Sequence, residues 1–507
     1  MILNVFVGFD SSDWGQELAY EICRRSLIKN HKAGDIEIRI KPLIKKELEE
    51  MEIFWRKDKD GSTEFTYTRF LTPYLSNYEG YSIFCDSDFL WNCDIVELLN
   101  YINKDLAVSC VKHSYIDCND SVKMNGLKQE WYPRKNWTSL MIFNNEHPSV
   151  KNLSLENVNN QTAKWLHRLQ WCSDEEIGTI PLLYNYLAGY YTKNASPKAI
   201  HYTDGGPWHY KYTDTDFAQE WLDYLTEKEM TKLETFVLYS KFKYEFFVMV
   251  GPNVIESKKH TLYMAEQVSK ICRKLNVNFV FKVSFDKANR TSINSYRGVD
   301  IKEAIEIFKE IKSKYNCLII TDIHEDKQAD MIKDYVDVIQ VPAFLCRQTN
   351  LLKAVADTNK LIHVKKGQFC TPETMHKCAE KIRNFGNPNV ILCERGSMFG
   401  YRDLIVDSRN IPMMKSGHNL VSMDITHCLQ QPSQKLADGT VKAGGLREYI
   451  PLMGKLAIIS GVNGIFMETH DRPEESLCDA PTQFPLKQLE NFIEKMIKLY
   501  HFHKSNF

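Results

Sequence analysis

Residues 279–290 read FVFKVSFDKANR. A short apolar run, Phe279–Val283, carries Lys282 near its end and passes directly into Ser284, Asp286, Lys287, Asn289 and Arg290. So short a run, bounded by polar residues, reads as a buried strand whose end opens onto a polar surface. The same grammar recurs from Glu245 onward, in Phe246–Val250, Leu318–Thr321, Val338–Val341, Leu361–Val364, Val390–Leu392, Val421–Met423 and Gly464–Met467. Helical patterns separate most of these runs, so the strands are expected to be parallel and joined by βαβ crossovers. Eight such units in about 260 residues match the count and size of a (β/α)8 TIM barrel. An open doubly wound sheet is the competing architecture. The run ends argue for the barrel: GPN, KVSFDK, TDIHE, QVP, VKKGQ, CERG, DITH and METH place polar residues after nearly every strand, as a barrel's catalytic face requires.

Those ends supply Lys282, Lys287, Arg290, Lys365 and Arg395, with Arg347 beyond the fourth run. A lone Lys or Arg is usually a surface residue. Several converging on one mouth need anions to balance them, and they outnumber what one phosphate requires. Asp322, His324, His427, Glu468, His470 and Asp479 share the same face and suit proton transfer or metal binding. The stretch 430–447, QQPSQKLADGTVKAGGLR, has the polar, Gly-rich look of a mobile loop over the mouth, or of an ordinary connector.

Residues 1–240 follow a different rhythm, rich in Trp, Tyr and Asn. Strands are expected at Asn4–Phe9, Glu37–Pro42, Tyr81–Cys85, Ala107–Val111, Ser139–Phe143 and Ala199–Tyr202, with a helix over Gly15–Lys29. This pattern predicts an α/β domain with a mixed sheet. The charged segment 226–243 is its last helix or a linker to a second domain at 245–507. Cys85-Asp86-Ser87-Asp88 follows an apolar run, and paired carboxylates at a strand end can hold a hard cation that bridges a diphosphate. Alone this motif is weak, because a solvated turn looks the same. Val7-Gly8-Phe9-Asp10 and the downstream His201-Tyr202-Thr203-Asp204-Gly205-Gly206-Pro207-Trp208 strengthen it. They offer a nucleotide-contacting strand end and a third ligand beside a glycine turn.

The chain has 507 residues, 43% hydrophobic and 25% charged, enough to bury two or more cores rather than remain disordered. Its 64 basic residues against 65 acidic ones exclude bulk electrostatics as a guide to partners and argue against nucleic acid. The 14 cysteines are scattered, with no CxxC, and read as free thiols of a reducing, cytoplasmic compartment. No apolar run is long enough to span a membrane, and the opening MILNVFVGFD reads as a buried strand, not a signal.

Two resemblances follow from these residues. Over roughly 3–210 the chain resembles GT-A-type glycosyltransferases of the glycogenin- and galactosyltransferase-like group. The resemblance rests on VGFD, TEFTYTRF (63–70), FCDSDFLW (84–91), PRKNW (133–137) and HYTDGGPW (201–208). It implies Mn²⁺ or Mg²⁺ at Asp86, Asp88 and His201, and nucleotide-sugar contacts at Phe9, Asp10, Tyr67 and Arg69. The group's usual Lys before Pro-Trp is Gly206 here. Asp174 is a candidate for the acceptor side, or simply an exposed helix start. Residues 246–500 resemble 3-deoxy-D-manno-octulosonate-8-phosphate (Kdo-8-phosphate) synthase, through GPNVIES, FVFKVSFDKANRTSINSYRG, TDIHE, DVIQVPAFLCRQT, VKKGQF, ERGSMFGY, DITH and FMETHDRPEESLCDAPTQFPL. That resemblance implies condensation of phosphoenolpyruvate with arabinose 5-phosphate. Lys282, Lys287, Ser284 and Gln340 would hold the phosphoenolpyruvate carboxylate region, and Lys365 and Arg395 its phosphate. Asn289, Arg290 and Thr291 would meet the pentose phosphate, with Arg347 reaching in from a neighbour in a homo-oligomer built through the barrels. His427 and Asp479 would lie near the reacting carbons and water. In the metal-dependent branch a Cys follows Gly-Pro and joins residues corresponding to His427, Glu468 and Asp479. Asn253 stands at that Cys position, so the barrel is expected to work without a metal. The implied whole is a bifunctional enzyme of glycan assembly; the rival is an active synthase carrying a degenerate sugar-binding module.

Overall fold

The computed structural model describes residues 1–32, 34–57, 61, 63–114, 133–191, 196–290, 292–399, 403–417, 419–435 and 441–506. The chain divides into two units, Met1–Leu233 and Glu234–Phe507.

The first unit carries strands β1 (Ile2–Gly8), β2 (Glu37–Leu43), β3 (Tyr81–Cys85), β4 (Phe89–Trp91), β5 (Val108–Cys110), β6 (Leu140–Asn144), β7 (Ile177–Thr179), β8 (Tyr186–Leu187) and β9 (Ala199–His201). Six form a mixed sheet in the order β2-β1-β3-β6-β5-β7, and β4-β9-β8 form a second, small sheet. The period-two alternation of a strand explains the two cores. Val5, Val7, Ile83, Cys85 and Ile142 pack on one side with Cys23 and Leu27 of the helix Trp14–Asn30. Phe6, Phe84, Met141 and Phe143 pack on the other with Phe65 and Phe70. That helix starts where Asp13 accepts the Gln16 N–H, a side-chain cap that satisfies one of its free donors. The expected strands fall within a residue or two of these positions. Strands β4, β7 and β8 were not foreseen: they are two or three residues long, and only their partners define them.

The second unit adds β10 (Phe247–Gly251), β11 (Asn278–Lys282), β12 (Leu318–Asp322), β13 (Val338–Val341), β14 (Leu361–Lys365), β15 (Val390–Glu394), β16 (Ser397–Met398), β17 (Leu404–Ile405), β18 (Leu420–Asp424), β19 (Gln430–Lys435), β20 (Val441–Gly445), β21 (Gly464–His470) and β22 (Phe484–Pro485). Strands β10 to β15, β18 and β21 pair in sequence, all parallel, and β10 pairs with β21 to close an eight-stranded barrel. The open sheet is thereby excluded. Side-chain parity then decides everything at the mouth. Phe247, Met249, Val280, Ile320, Val338, Leu361, Ile391, Leu420 and Phe466 fill the barrel interior. Their neighbours of opposite parity, such as Val248, Phe281, Ile319, Ile339, Val390 and Val421, pack outward in the larger core that includes the helices. The inward parity continues to the strand ends, so it places Lys282, Asp322, Gln340, Lys365, Asp424 and Glu468 inside as well. Gly251 is needed at this rim: a Cβ there would lie 2.1 Å from the Lys282 carbonyl oxygen.

Within the Gly-rich stretch read as a mobile loop or a connector, β19 pairs antiparallel with β20. Its Gln, Lys and Gly residues have little strand propensity, so the pairing comes from the hairpin's closure rather than from pattern. Residues 436–440 between the strands lie outside the described residues.

Candidate functional site

Opposite charges meet where the barrel's inward rows end. Lys282 is buried, with Nζ 2.8 Å from Ser284 Oγ, 3.6 Å from Asp322 Oδ1 and 3.7 Å from Glu468 Oε1. Ser284 Oγ in turn donates to Asp322. Lys287, on the loop after β11, lies 3.7 Å from the same Glu468 oxygen. Across the mouth, Lys365 Nζ is 2.5 Å from Asp424 Oδ2 and 3.7 Å above the Phe466 ring. His427 Nδ1 is 2.8 Å from Asp424 Oδ2, while its Nε2 is 3.1 Å from Glu468 Oε2 and 3.8 Å from Asp479 Oδ2. Arg290 reaches Asp479 Oδ1 at 3.1 Å, and Asn253 Nδ2 donates to Asp479 Oδ2 at 3.0 Å. Gln430 bridges the set, donating to Asp479 at 3.2 Å and accepting from Arg395 at 3.5 Å. Phe466 forms the floor: His363 stacks on it at 5.7 Å between centroids.

Burial disfavours every one of these charges, and the partners decide which survive. For Lys282 burial wins, aided by Lys287, and its pKa comes down to about 8. Lys287 is pushed up despite burial, by Glu468 and Asp322. His427 is raised against its burial by Asp424 and Glu468. Asp424, Glu468 and Asp479 are all held below the usual carboxylate range, burial notwithstanding, with His427 the leading cause. His363, buried beside Lys365, is lowered to about 3 and stays neutral. It contacts Gln340 Oε1 at 3.2 Å and Ser422 Oγ at 2.9 Å.

The sequence-derived residues Asn253, Lys282, Ser284, Lys287, Arg290, Lys365, Arg395, His427, Glu468 and Asp479 are thus brought together, and Gln340 joins through His363. Asn289 and Arg347 are exposed on this single chain. Thr291 lies outside the described residues. His324 stands 3.3 Å from Asp322, but His470 turns away from the ring toward Glu256. The residue missed was Asp424. Its signal was the Asp-x-x-His spacing in DITH, which brings a strand-end carboxylate back under the histidine.

At the mouth Asn253 stands where a thiolate would complete a soft donor set with His427, Glu468 and Asp479, and its amide nitrogen donates to Asp479. Among the described residues, the triads whose donor atoms lie within 4.8 Å of one another are Asp86–Asp88–His201 and Glu256–His260–His470.

In the first unit β3 ends at Cys85, which delivers Asp86 and Asp88, and β4 pairs antiparallel with β9, which delivers His201. His201 Nε2 is 3.3 Å from Asp88 Oδ1 and 3.9 Å from Asp86 Oδ2. Its Nδ1 is 2.8 Å from Asn185 Oδ1, an acceptor, which fixes the ring's orientation and turns Nε2 to the carboxylates. Phe89 stacks on the imidazole at 4.4 Å. This is the chemistry of a hard-cation site with one nitrogen ligand, and the residues present fit Mn²⁺ or Mg²⁺. Arg69 lies 3.0 Å from Asp86 Oδ1. Asp10 is buried and accepts the Ser12 N–H at 2.9 Å; Tyr67 is buried under the Arg56 guanidinium; Phe9 packs edge-on to Tyr20. Gly206 admits no side chain as the chain stands, since a Cβ would lie 2.1 Å from the Trp208 ring. Asp174 opens a short helical turn with a capping box at Ser173 and pairs with Arg134 at 2.5 Å, as a helix start would.

Comparison with known proteins gives a match to the DAHP synthetase I family over residues 243–504. The chain is 51% identical over 268 residues to 2-dehydro-3-deoxyphosphooctonate aldolase 1 of Arabidopsis thaliana, spanning 52% of this chain and 92% of that protein. It is 50% identical over 266 residues to the Pisum sativum 2-dehydro-3-deoxyphosphooctonate aldolase, spanning 52% and 92%. It is 43% identical over 254 residues to the protein of that name from a Cyanothece species, spanning 50% and 92%. No helix among the described residues is long and apolar enough to cross a membrane. A closed parallel barrel, a mouth ringed by Lys282, Lys365, Arg395 and His427, and a family match covering that whole unit agree: through its second half, the chain belongs to the DAHP synthetase I family.

Proposed function

We propose that residues 245–507, the barrel of the second unit, are a metal-independent Kdo-8-phosphate synthase that condenses phosphoenolpyruvate with D-arabinose 5-phosphate. The observation that carries this reading is the convergence of Lys282, Lys365, Lys287, Arg290 and Arg395 on one barrel mouth with His427, Glu468 and Asp479 between them. The relatives' name, 2-dehydro-3-deoxyphosphooctonate aldolase, supports it. Phosphoenolpyruvate's methylene carbon forms a bond to the pentose aldehyde carbon, whose oxygen takes a proton. Water adds at the carbon bearing the phosphate ester, and that C–O bond breaks to release phosphate and leave a ketone. Fixed cations orient two anions that would otherwise repel, which is chiefly an entropic gain. The Arg395 Nη1, buried and without a hydrogen-bond partner among the described residues, is placed to take a phosphate oxygen. His427, held toward the imidazolium by Asp424 and Glu468, lies 3.8 Å from Asp479 and is the group placed to give a proton. The test is phosphate release by the purified full chain: it should require both substrates and yield the eight-carbon sugar acid phosphate. Release from phosphoenolpyruvate alone would refute the reading.

For the first unit, assigned to 1–240, we propose metal-dependent transfer from a nucleotide sugar. The observation favouring it over a sugar-binding module without turnover is the convergence of His201 Nε2 on Asp86 and Asp88, with the ring held from behind by Asn185. A donor screen with Mn²⁺, reading nucleoside diphosphate release, separates the two. The expected result is turnover that Asp88→Asn abolishes. Binding of the donor without release would favour the module.

A further inference from the structure

Outside both sites, a cluster in the second unit has the construction of a metal centre. Glu256 follows β10, His260 lies in the first turn of the helix Lys258–Lys274, and His470 ends β21. His470 Nε2 is 3.4 Å from Glu256 Oε2, and His260 Nδ1 is 3.9 Å from the same oxygen. Ligands around a tetrahedral ion with bonds near 2.0–2.1 Å stand about 3.3 Å apart. One carboxylate, Asp471 Oδ1, faces the remaining nitrogen of each ring, 2.9 Å from His260 Nε2 and 3.2 Å from His470 Nδ1. Behind His260 it is an outer carboxylate of the kind that orients a ligating ring and raises its basicity, while His470 Nδ1 accepts the Arg472 N–H at 2.9 Å. Asp471 fixes the proton of His260 on Nε2. The Nδ1 lone pair is then buried, with no hydrogen-bond partner among the described residues, and turned toward Glu256.

We propose that Glu256, His260 and His470 bind a borderline first-row divalent cation, of which Zn²⁺ is the type, with water as fourth ligand. Two imidazoles and one carboxylate are a donor set such ions accept. Ligation through His470 Nε2 puts that ring's proton on Nδ1, where it donates to Asp471, and the Arg472 N–H, which now donates to Nδ1 at 2.9 Å, must turn out to solvent. Neither ring releases a proton. The side chains are only slightly open to solvent, 15% for both Glu256 and His260, so an ion can enter and keep a water. The other Glu256 oxygen accepts the Leu477 N–H at 2.9 Å and the Ser476 hydroxyl at 3.3 Å. The ion therefore ties down the segment that runs through Cys478 into Asp479, and so steadies one wall of the barrel mouth from outside.

The test uses the full chain carrying Asp86→Asn and Asp88→Asn, which removes the first unit's competing ligands, and Zn²⁺ alone as probe. Equilibrium dialysis at micromolar free zinc should find one equivalent per chain. Adding His260→Ala should weaken binding at least 100-fold, and Asp471→Asn, which keeps every ligand, about 10–100-fold. Hydrogen exchange of the amides at 474–478 should slow with zinc in the parent and not in the His260→Ala chain. Co²⁺ bound to the unaltered ligands should give the strong visible bands of a four-coordinate site, a readout independent of whether a variant folds. No stoichiometric zinc in the parent, zinc undiminished by His260→Ala, or a weak six-coordinate cobalt spectrum would each overturn the proposal.

Discussion

Asp424 Oδ2 lies 2.8 Å from His427 Nδ1, three residues on in the chain, and the same oxygen lies 2.5 Å from Lys365 Nζ. One buried carboxylate thus orients an imidazole and anchors a lysine. Replacing it by Asn should lower the His427 pKa, because burial then acts with less opposition. The sign follows from linkage. A raised His427 stabilises the fold below its ordinary value, and that contribution fades as pH rises through the raised one. A lowered Asp424 stabilises above the ordinary carboxylate value and fades as pH falls through the lowered one. Asp424→Asn should cost about 3–5 kcal/mol, as for other broken buried pairs. Imidazole NMR titration should show His427 above its usual value in the parent and lower in the variant. An unchanged titration would contradict the coupling.

Lys282, brought down to about 8 by burial, is neutral in a growing fraction of molecules above that pH. An anionic substrate beside it favours the charged form, so phosphoenolpyruvate binding should take up a proton near pH 8–9. Calorimetry in buffers of different ionisation enthalpy measures this directly. Lys282→Met should abolish the uptake and weaken binding by on the order of 2–5 kcal/mol. Uptake that persists in the variant would move the effect to another group.

Much of this barrel was legible in the sequence because a short apolar run ending in charge fits little but a buried strand that reaches a polar rim. Phe279–Val283 announced both the strand and the mouth. What could not be read was which polar residues meet. His470 and Glu468 are two apart on one strand, share a parity, and look equivalent in METH; yet Glu468 meets Lys282 whereas His470, beyond the barrel's end, meets Glu256. Asp424 could be read only through the Asp-x-x-His spacing, whose contact depends on the turn after β18. In the first unit Asp86 and Asp88 were visible as a motif. Asn185, which fixes the His201 ring, carried no signal at all, since a lone Asn is ordinarily a turn residue.

Arg347 is exposed on the single chain, just past the short helical turn Ala343–Leu345. If a neighbouring barrel's pentose-phosphate site uses it, Arg347→Ala should raise the KM for arabinose 5-phosphate at least tenfold, with little change for phosphoenolpyruvate. Ultracentrifugation should show an oligomer. A fully active monomer would remove Arg347 from the site.

The two units should answer to metal ions in opposite ways. In the first, His201 Nε2 stands 3.3 Å from Asp88 and 3.9 Å from Asp86, a donor set suited to a hard cation. In the second, Asn253 donates to Asp479, and the carboxylates of the mouth face Lys282, Lys287, Lys365 and Arg290. The Glu256 cluster lies outside the mouth, where Glu256 accepts from Leu477 and Ser476. Chelator treatment of one preparation should therefore abolish nucleotide-sugar turnover, and added Mn²⁺ should restore it, while phosphate release from phosphoenolpyruvate and arabinose 5-phosphate keeps most of its rate. Asp86→Asn should reproduce the first loss alone, by a factor of at least 100, with the synthase rate unmoved. Asn253→Asp separates charge from metal. It places a second carboxylate against Asp479, whose like charge should raise one of the two pKa values and slow the synthase with or without added metal. A synthase that loses its rate with the chelator, and regains it with Zn²⁺ or Fe²⁺ in the His260→Ala chain, would place a catalytic metal at the mouth and refute this reading of Asn253.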